Sequence, residues 1–203
     1  MNLILDGRLR RQLTFILELD KLKGVARRIS LIDRSRLENS AEHSWHLGTM
    51  AVVLAEYAPE GTDLGRLVEM LLVHDVVEID AGDTFAFDTA ANVGKAERET
   101  LAANRLFGLL PDEDARRMRA LWDEFEEGET PTARFANALD RLQGLLMNDA
   151  PGDGGTWRIH GITRSQVLAR MAPIQSGAPA LWPIVLDAVE RAVCAGDVKD
   201  DRA

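Results

Sequence analysis

Residues 71–83 read LLVHDVVEIDAGD, and they place a histidine and an aspartate side by side within an apolar segment. The spacing of Leu71 and His74 predicts a helix that turns both side chains toward the core. Glu78 follows His74 by four residues and is expected one turn further along that face. Burying an ionised carboxylate without a partner is costly. His74 and Asp75 therefore either satisfy each other as a core pair or hold a cation.

The rest of the chain shows helical periodicity and no convincing strand alternation. We predict helices that begin near Leu9, Ser40 and Asp63, with Ser40 and Asp63 as N-caps. Further helices are predicted over 95–109, 111–126, 131–148 and 178–195, and loops over 80–94 and 149–163. The predicted fold class is all-α, with one bundle-like domain over residues 1–203.

Composition excludes several classes of function. The chain has 203 residues, 46% of them hydrophobic, and a formal net charge of −9. This acidity makes an electrostatic grip on nucleic acid unfavourable, so no nucleic-acid partner is expected. The single cysteine, Cys194, excludes an internal disulfide and a zinc cage made of cysteines. No signal peptide or membrane-length apolar stretch is visible, and we expect a cytoplasmic protein without a membrane partner.

Histidine and aspartate also occur on apolar faces elsewhere in the chain. His43 lies on the apolar stripe of the second helix, and Asp140 lies in the apolar context FANALDRLQGLL. A single His-Asp dipeptide is more often structural, but three helices here each place a metal-ligand side chain at a core position. Two imidazoles and two carboxylates suit one divalent ion, namely Mn²⁺, Fe²⁺, Co²⁺, Zn²⁺ or Mg²⁺. His43, His74, Asp75 and Asp140 are therefore the predicted metal ligands.

The pattern H…HD…D resembles the signature of the HD-domain metal-dependent phosphohydrolases. Its longer string, H-D-x-x-E-x-x-x-G-D over residues 74–83, together with Glu42-His43-Ser44, is most similar to the HD-domain 5′-deoxynucleotidases. The similarity covers about residues 9–148, and the loop and helix over 149–203 are expected to pack on that core. The resemblance also implies a homodimer.

The resemblance further implies roles for individual residues. Glu78 would relay a proton to the leaving 5′ oxygen or from the attacking water. Asp83 and Thr84 would lie at the sugar end of the substrate. Arg28 would orient the phosphate, with Arg27 as a close alternative, because the guanidinium forms paired hydrogen bonds with phosphate.

Two departures from the family pattern concern the sugar pocket. Ile29 stands where the bacterial deoxynucleotidases have a tryptophan, and residues 82–87 lack the proline of the usual turn. No histidine lies between residues 76 and 139, which predicts one metal ion and argues against the binuclear branches of the family. His46 is expected beside the metal site. His160 is expected in a loop, from which it could cover the pocket. Trp45 and Trp122 are expected in the core.

The predicted function is that of a hydrolase, a metal-dependent phosphomonoesterase that removes the 5′-phosphate of (deoxy)nucleoside monophosphates. One alternative is a metal-dependent phosphatase for another small phosphate ester. A second alternative is a catalytically silent HD domain that binds a nucleotide. Glu78 argues against the second, because a binding module needs no proton relay.

Overall fold

The computed structural model describes residues 7–88 and 90–202, and its architecture is a helical bundle. The helices of this described part are α1 (Gly7–Leu19), α2 (Ser40–Val53), α3 (Leu64–Val73), α4 (Glu78–Ala81), α5 (Lys95–Phe107), α6 (Asp112–Glu127), α7 (Pro131–Asp149), α8 (Gly155–His160), α9 (Arg164–Gly177) and α10 (Trp182–Ala195). Turns of 3₁₀-helix lie at Asp20–Gly24, Ala55–Tyr57 and Pro179–Leu181. The predicted all-α class is confirmed.

The first turns of α2 and α3 show how local sequence fixes helix starts. The side chain of Asp63 accepts a hydrogen bond of 3.0 Å from the backbone N–H of Arg66, as predicted for an N-cap. The N-cap of α2 is Asn39 and not Ser40. Asn39 accepts from the Glu42 N–H, while the Glu42 carboxylate accepts from the Asn39 N–H. Ser40 is thereby free to direct its hydroxyl inward.

Residues 71–83 do not form one continuous helix. Helix α3 ends at Val73, residues 74–77 form a tight turn, and α4 begins at Glu78. Within the turn, hydrogen bonds of 3.0 Å join Val76 N to Val73 O and Glu78 N to Asp75 O, three residues apart. His74 and Asp75 therefore lie in a turn between two helices and not within one continuous helix.

A small antiparallel sheet, which the sequence pattern does not predict, precedes α2. Strand β1 (Ala26–Ser30) pairs with β2 (Leu37–Asn39), with an irregularity between the paired ends. The strands are too short for side-chain alternation to stand out from the helical pattern. The hairpin brings Arg27, Arg28 and Glu38 to the side of the bundle where the HD segment lies.

One cluster of buried apolar side chains joins the two halves of the chain. Helix α7 packs against α2, α3, α6, α9 and α10 and so occupies a central position. Trp122 is buried as predicted, whereas Trp45 is 67% exposed and the prediction for it is wrong. His43 and Leu47 take the inner face of α2, which leaves Trp45 on the opposite face.

The C-terminal part is more helical than predicted. Helix α8 lies inside the loop expected over 149–163, and α9 follows it directly. Helix α9 contains Pro173 and ends at Gly177, and both residue types disfavour helix. Its start carried a recognisable signal, because Thr163 and Gln166 form a capping box.

None of the helices in the described ranges is both long enough and apolar enough to cross a bilayer.

Candidate metal centre and adjoining pocket

His43, His74 and Asp75 meet between α2 and the turn that follows α3. One ligand atom from each of the three residues lies within 4.8 Å of the others. The Nε2 atom of His74 is 3.1 Å from Asp75 Oδ1, and the Nε2 atom of His43 is 3.8 Å from Asp75 Oδ2. Both histidines are buried. The structure thus brings together three of the four predicted ligands.

Asp140 on α7 adjoins this group. Its Oδ1 atom lies 3.0 Å from His43 Nε2, and its Oδ2 atom pairs with Arg141. Burial alone would raise the pKa of Asp140, but the charge of Arg141 and the hydrogen bond with His43 bring that pKa well below its ordinary value. Asp140 is therefore an ionised carboxylate facing the same imidazole nitrogen as Asp75.

The orientation of the two imidazoles fits a divalent metal. His74 Nδ1 donates a hydrogen bond of 2.9 Å to the carbonyl of Leu71, so its buried Nε2 carries the free lone pair and has no hydrogen-bond partner among the described residues. His43 Nδ1 lies 3.6 Å from the Glu38 carboxylate. A histidine that ligates a metal through one nitrogen typically has such a partner on the other.

The charges around His43 also favour a cation. Burial and the charge of Arg27 lower its pKa, yet the hydrogen bond with Asp140 and the nearby carboxylates of Glu38 and Asp75 raise it overall to about 9. Without a metal the site thus draws a proton onto His43. The donor set, two imidazoles and two carboxylates, is one that Mn²⁺, Fe²⁺, Co²⁺ and Zn²⁺ accept.

Glu78 lies at the start of α4 and is buried, with 6% of its surface exposed. The Ser40 hydroxyl donates a hydrogen bond of 2.5 Å to its Oε2 atom. Burial, and next the charge of Asp75, raise the pKa of Glu78 to about 9. Glu78 is thus a carboxylic acid that holds its proton at neutral pH, beside the candidate metal ligands.

The two neighbouring arginines of β1 have different surroundings. Arg27 donates a hydrogen bond of 2.9 Å to Asp75 and pairs with Glu38 at 3.4 Å. Arg28 is exposed and lines a pocket that begins at Asp140. Both arginines therefore line the pocket, and Arg27 in addition contacts the candidate metal ligand Asp75.

The pocket joins the candidate metal site to the C-terminal helices. Asp83 lines it, accepts a backbone hydrogen bond from Arg28, and has a pKa raised mainly by burial. Thr84 is half-buried and is not among the lining residues of the pocket. Lining residues that the sequence pattern did not identify come from α7, α8 and α9: Arg141, Asn148, Thr156, Trp157 and Arg170. Among these five residues, only Arg141 could have been identified from the sequence, because it directly follows Asp140.

The other two histidines lie outside the three-residue cluster. His46 Nδ1 is 3.5 Å from the side-chain nitrogen of Gln143, which also donates a 2.8 Å hydrogen bond to Glu38. His160 ends α8 and is exposed, and its ring lies 4.5 Å from that of Phe85, a residue of the pocket wall.

Comparisons with known proteins agree with this architecture. The HD domain family profile matches residues 19–182, so the chain belongs to the HD domain family. The chain has 51% identity and a TM-score of 0.89 with a crystal structure from Magnetospirillum magnetotacticum MS-1, described as a predicted metal-dependent phosphohydrolase. That similarity covers 95% of this chain and 99% of the other. The expected family resemblance is confirmed.

Two curated relatives are more distant. The 5′-deoxynucleotidase HDDC2 of Bos taurus is 30% identical over 109 residues, which are 54% of this chain and 52% of that protein. The 5′-deoxynucleotidase HDDC2 of Homo sapiens is 29% identical over 111 residues, 55% of this chain and 53% of that protein. The chain thus spans about half the length of these curated relatives.

Proposed function

We propose that the protein is a metal-dependent phosphohydrolase that removes the 5′-phosphate of (deoxy)nucleoside monophosphates. The observation that carries the proposal is the convergence of His43, His74, Asp75 and Asp140 beside a pocket that Asp140 and several arginines line. The names of the family members that the chain resembles support the reaction class and the nucleotide substrate.

In this proposal His43, His74, Asp75 and Asp140 hold one divalent ion. Such an ion, when bound, activates water and polarises a phosphate ester. The chain supplies the four ligands and the contacts that orient the two imidazoles. His74 Nδ1 donates a hydrogen bond to the Leu71 carbonyl, and His43 Nδ1 faces the Glu38 carboxylate at 3.6 Å.

Glu78 acts as the proton donor to the leaving 5′ oxygen. Its carboxyl is buried, carries a proton at neutral pH, and is oriented by the Ser40 hydroxyl. The sequence pattern also allows proton transfer from the attacking water, but a protonated Glu78 supports the donor role.

Substrate binding falls to the pocket. Arg27 and Arg28, which both line it, offer guanidinium groups to the phosphate. Asp83 accepts a sugar hydroxyl, with Thr84 beside it in the chain. Phe85 and Phe87, which replace the family's proline turn, contribute apolar surface for the rest of the substrate.

The deciding experiment measures phosphate release from matched pairs of deoxy- and ribonucleoside 5′-monophosphates, with Mn²⁺, Co²⁺ or a chelator added. We expect turnover only with metal and a preference for the deoxy series. Turnover of other small phosphate esters with none of the nucleotides would favour the alternative phosphatase, because Ile29 and residues 82–87 alter the sugar pocket. Nucleotide binding without turnover under any metal would favour the silent binding domain.

A homodimer, a cytoplasmic location and the lack of nucleic-acid and membrane partners stay predictions from the sequence. Size-exclusion chromatography with light scattering tests the first of them.

A further inference from the structure

Arg170 enters the pocket from α9, a helix that none of the motifs in the sequence includes. Helix α9 packs along α7, and Arg170 thereby lines the same pocket wall as Arg141 and Asp140. Its side chain is half-buried. The C-terminal part of the chain thus contributes a cation directly to the candidate active site.

Arg170 differs from two of its arginine neighbours in having no partner. Arg27 is bound to Asp75 and Glu38, and Arg141 to Asp140. Across residues 7–88 and 90–202 we find no hydrogen bond or ion pair made by Arg170. A guanidinium with five N–H donors therefore faces the pocket without an acceptor.

The electrostatic surroundings of Arg170 are unfavourable for a cation. Burial and the charge of Arg141 lower its pKa to about 10, and these effects outweigh the attraction of Asp140. An anion in the pocket would relieve the repulsion between Arg170 and Arg141 and would supply the missing acceptors. This wall of the pocket therefore favours a negatively charged ligand.

We propose that Arg170 is a phosphate-binding residue, which contacts the non-reacting oxygens of a phosphate held between α9 and the candidate metal ligands. The inference rests on the proposed phosphohydrolase function and extends its anion site from β1 to the C-terminal helices. Arg170 and Asp140 line the same pocket and interact electrostatically, so a phosphate bound beside Asp140 would share that pocket with the guanidinium. Because arginine binds phosphate through paired hydrogen bonds, lysine should replace it only in part.

Inorganic phosphate, the product of any phosphomonoesterase, is the probe, and calorimetry on Mn²⁺-loaded protein gives its affinity without turnover. We expect Arg170→Gln to weaken phosphate binding by roughly 10- to 100-fold, and Arg170→Lys by less. Arg164→Gln is the matched control, since Arg164 lies on the same helix but pairs with Glu190 away from the pocket. Its phosphate affinity should equal that of the wild type.

Thermal melting separates ligand binding from a structural role. If Arg170 stabilises the fold, Arg170→Gln should have a lower melting temperature than the wild type. If Arg170 instead binds a ligand, Arg170→Gln should have an unchanged or higher melting temperature in the absence of phosphate. Unchanged phosphate affinity in Arg170→Gln, or loss of bound metal in that variant, would overturn the proposal. If Arg170→Gln does not fold, equal phosphate affinity of Arg170→Lys and wild type would do the same.

The phosphate-binding role of Arg170 and the proposed nucleotidase function can be rejected independently of each other. Weak phosphate binding by Arg170→Gln with no nucleotide turnover in the wild type would support the anion site and reject the nucleotidase function. Nucleotide turnover with unaltered phosphate affinity in the variant would do the reverse.

Discussion

The Ser40 hydroxyl donates a hydrogen bond of 2.5 Å to Glu78, which joins the first turn of α2 to the first residue of α4. This contact exists because Asn39 serves as the N-cap of α2 and leaves Ser40 free to point inward. It holds a buried, protonated carboxyl beside Asp75. Glu78 is therefore fixed in position by a residue outside the HD motif.

Replacing Glu78 tests the proton-donor assignment. We expect Glu78→Gln to lower kcat by about 100-fold or more without loss of bound metal, because the amide cannot donate the proton that the leaving oxygen needs. Ser40→Ala should lower kcat less, since the carboxyl remains but loses its orienting bond. Steady-state kinetics and metal analysis measure both. Glu69→Gln on the surface of α3 is the control, and unaltered turnover in Glu78→Gln would rule out the assignment.

The neighbouring arginines of β1 should respond differently to the same substitution. Arg27→Gln removes the partner of two poorly exposed carboxylates, Asp75 and Glu38, and should cost about 3 kcal/mol in the free energy of unfolding of the metal-free protein. Arg28→Gln should leave stability unchanged and raise KM, because Arg28 is exposed at the pocket. Urea unfolding and kinetics measure the two effects. The opposite pattern, with Arg28 carrying the stability, would contradict the arrangement described for β1.

A buried carboxylate on α5 makes stability depend on pH. Burial raises the pKa of Glu99 above its ordinary value of 4.5, although Lys95 at 3.3 Å opposes the shift. The carboxyl of Glu99 thus binds its proton more tightly in the folded protein than in the unfolded chain. The contribution of Glu99 to the free energy of unfolding is therefore fully present below pH 4.5. It is lost as the pH rises through the raised pKa of Glu99. Glu99→Gln should therefore become more stable than the wild type as pH rises from 5 to 8.

Urea unfolding at several pH values measures this difference. Glu97→Gln, an exposed position on the same helix, is the control and should follow the wild type. A difference between Glu99→Gln and wild type that stays constant with pH would show that Glu99 does not titrate abnormally.

The candidate ligands could be predicted because histidine is rare in this chain and ionisable groups are unusual on apolar faces. His43 and His74 stood out against Leu47 and Leu71 on their own helices. Most helix positions followed from periodicity in the same way. The break after Val73 could not be predicted, because a turn of i→i+3 hydrogen bonds differs little in pattern from a continuing helix.

Tertiary packing brings together the residues that line the pocket, so the sequence pattern alone predicts them less well. Arg170 lies 30 positions beyond Asp140, and only the packing of α9 on α7 brings it to the pocket. The β1–β2 hairpin was missed for a related reason, since short strands carry little pattern of their own. Arg170 and the hairpin residues are identified from contacts between secondary-structure elements in the folded protein.

Metal content tests the central claim, that His43, His74, Asp75 and Asp140 form one metal site. Elemental analysis of protein purified without chelator should find about one divalent ion per chain. Its removal should lower the free energy of unfolding by about 3 kcal/mol relative to protein at a metal concentration near 100 times Kd. Asp75→Asn should lose both the ion and this stabilisation. Protein that is fully folded and metal-free, and that shows no change in melting temperature when Mn²⁺ is added, would contradict the account.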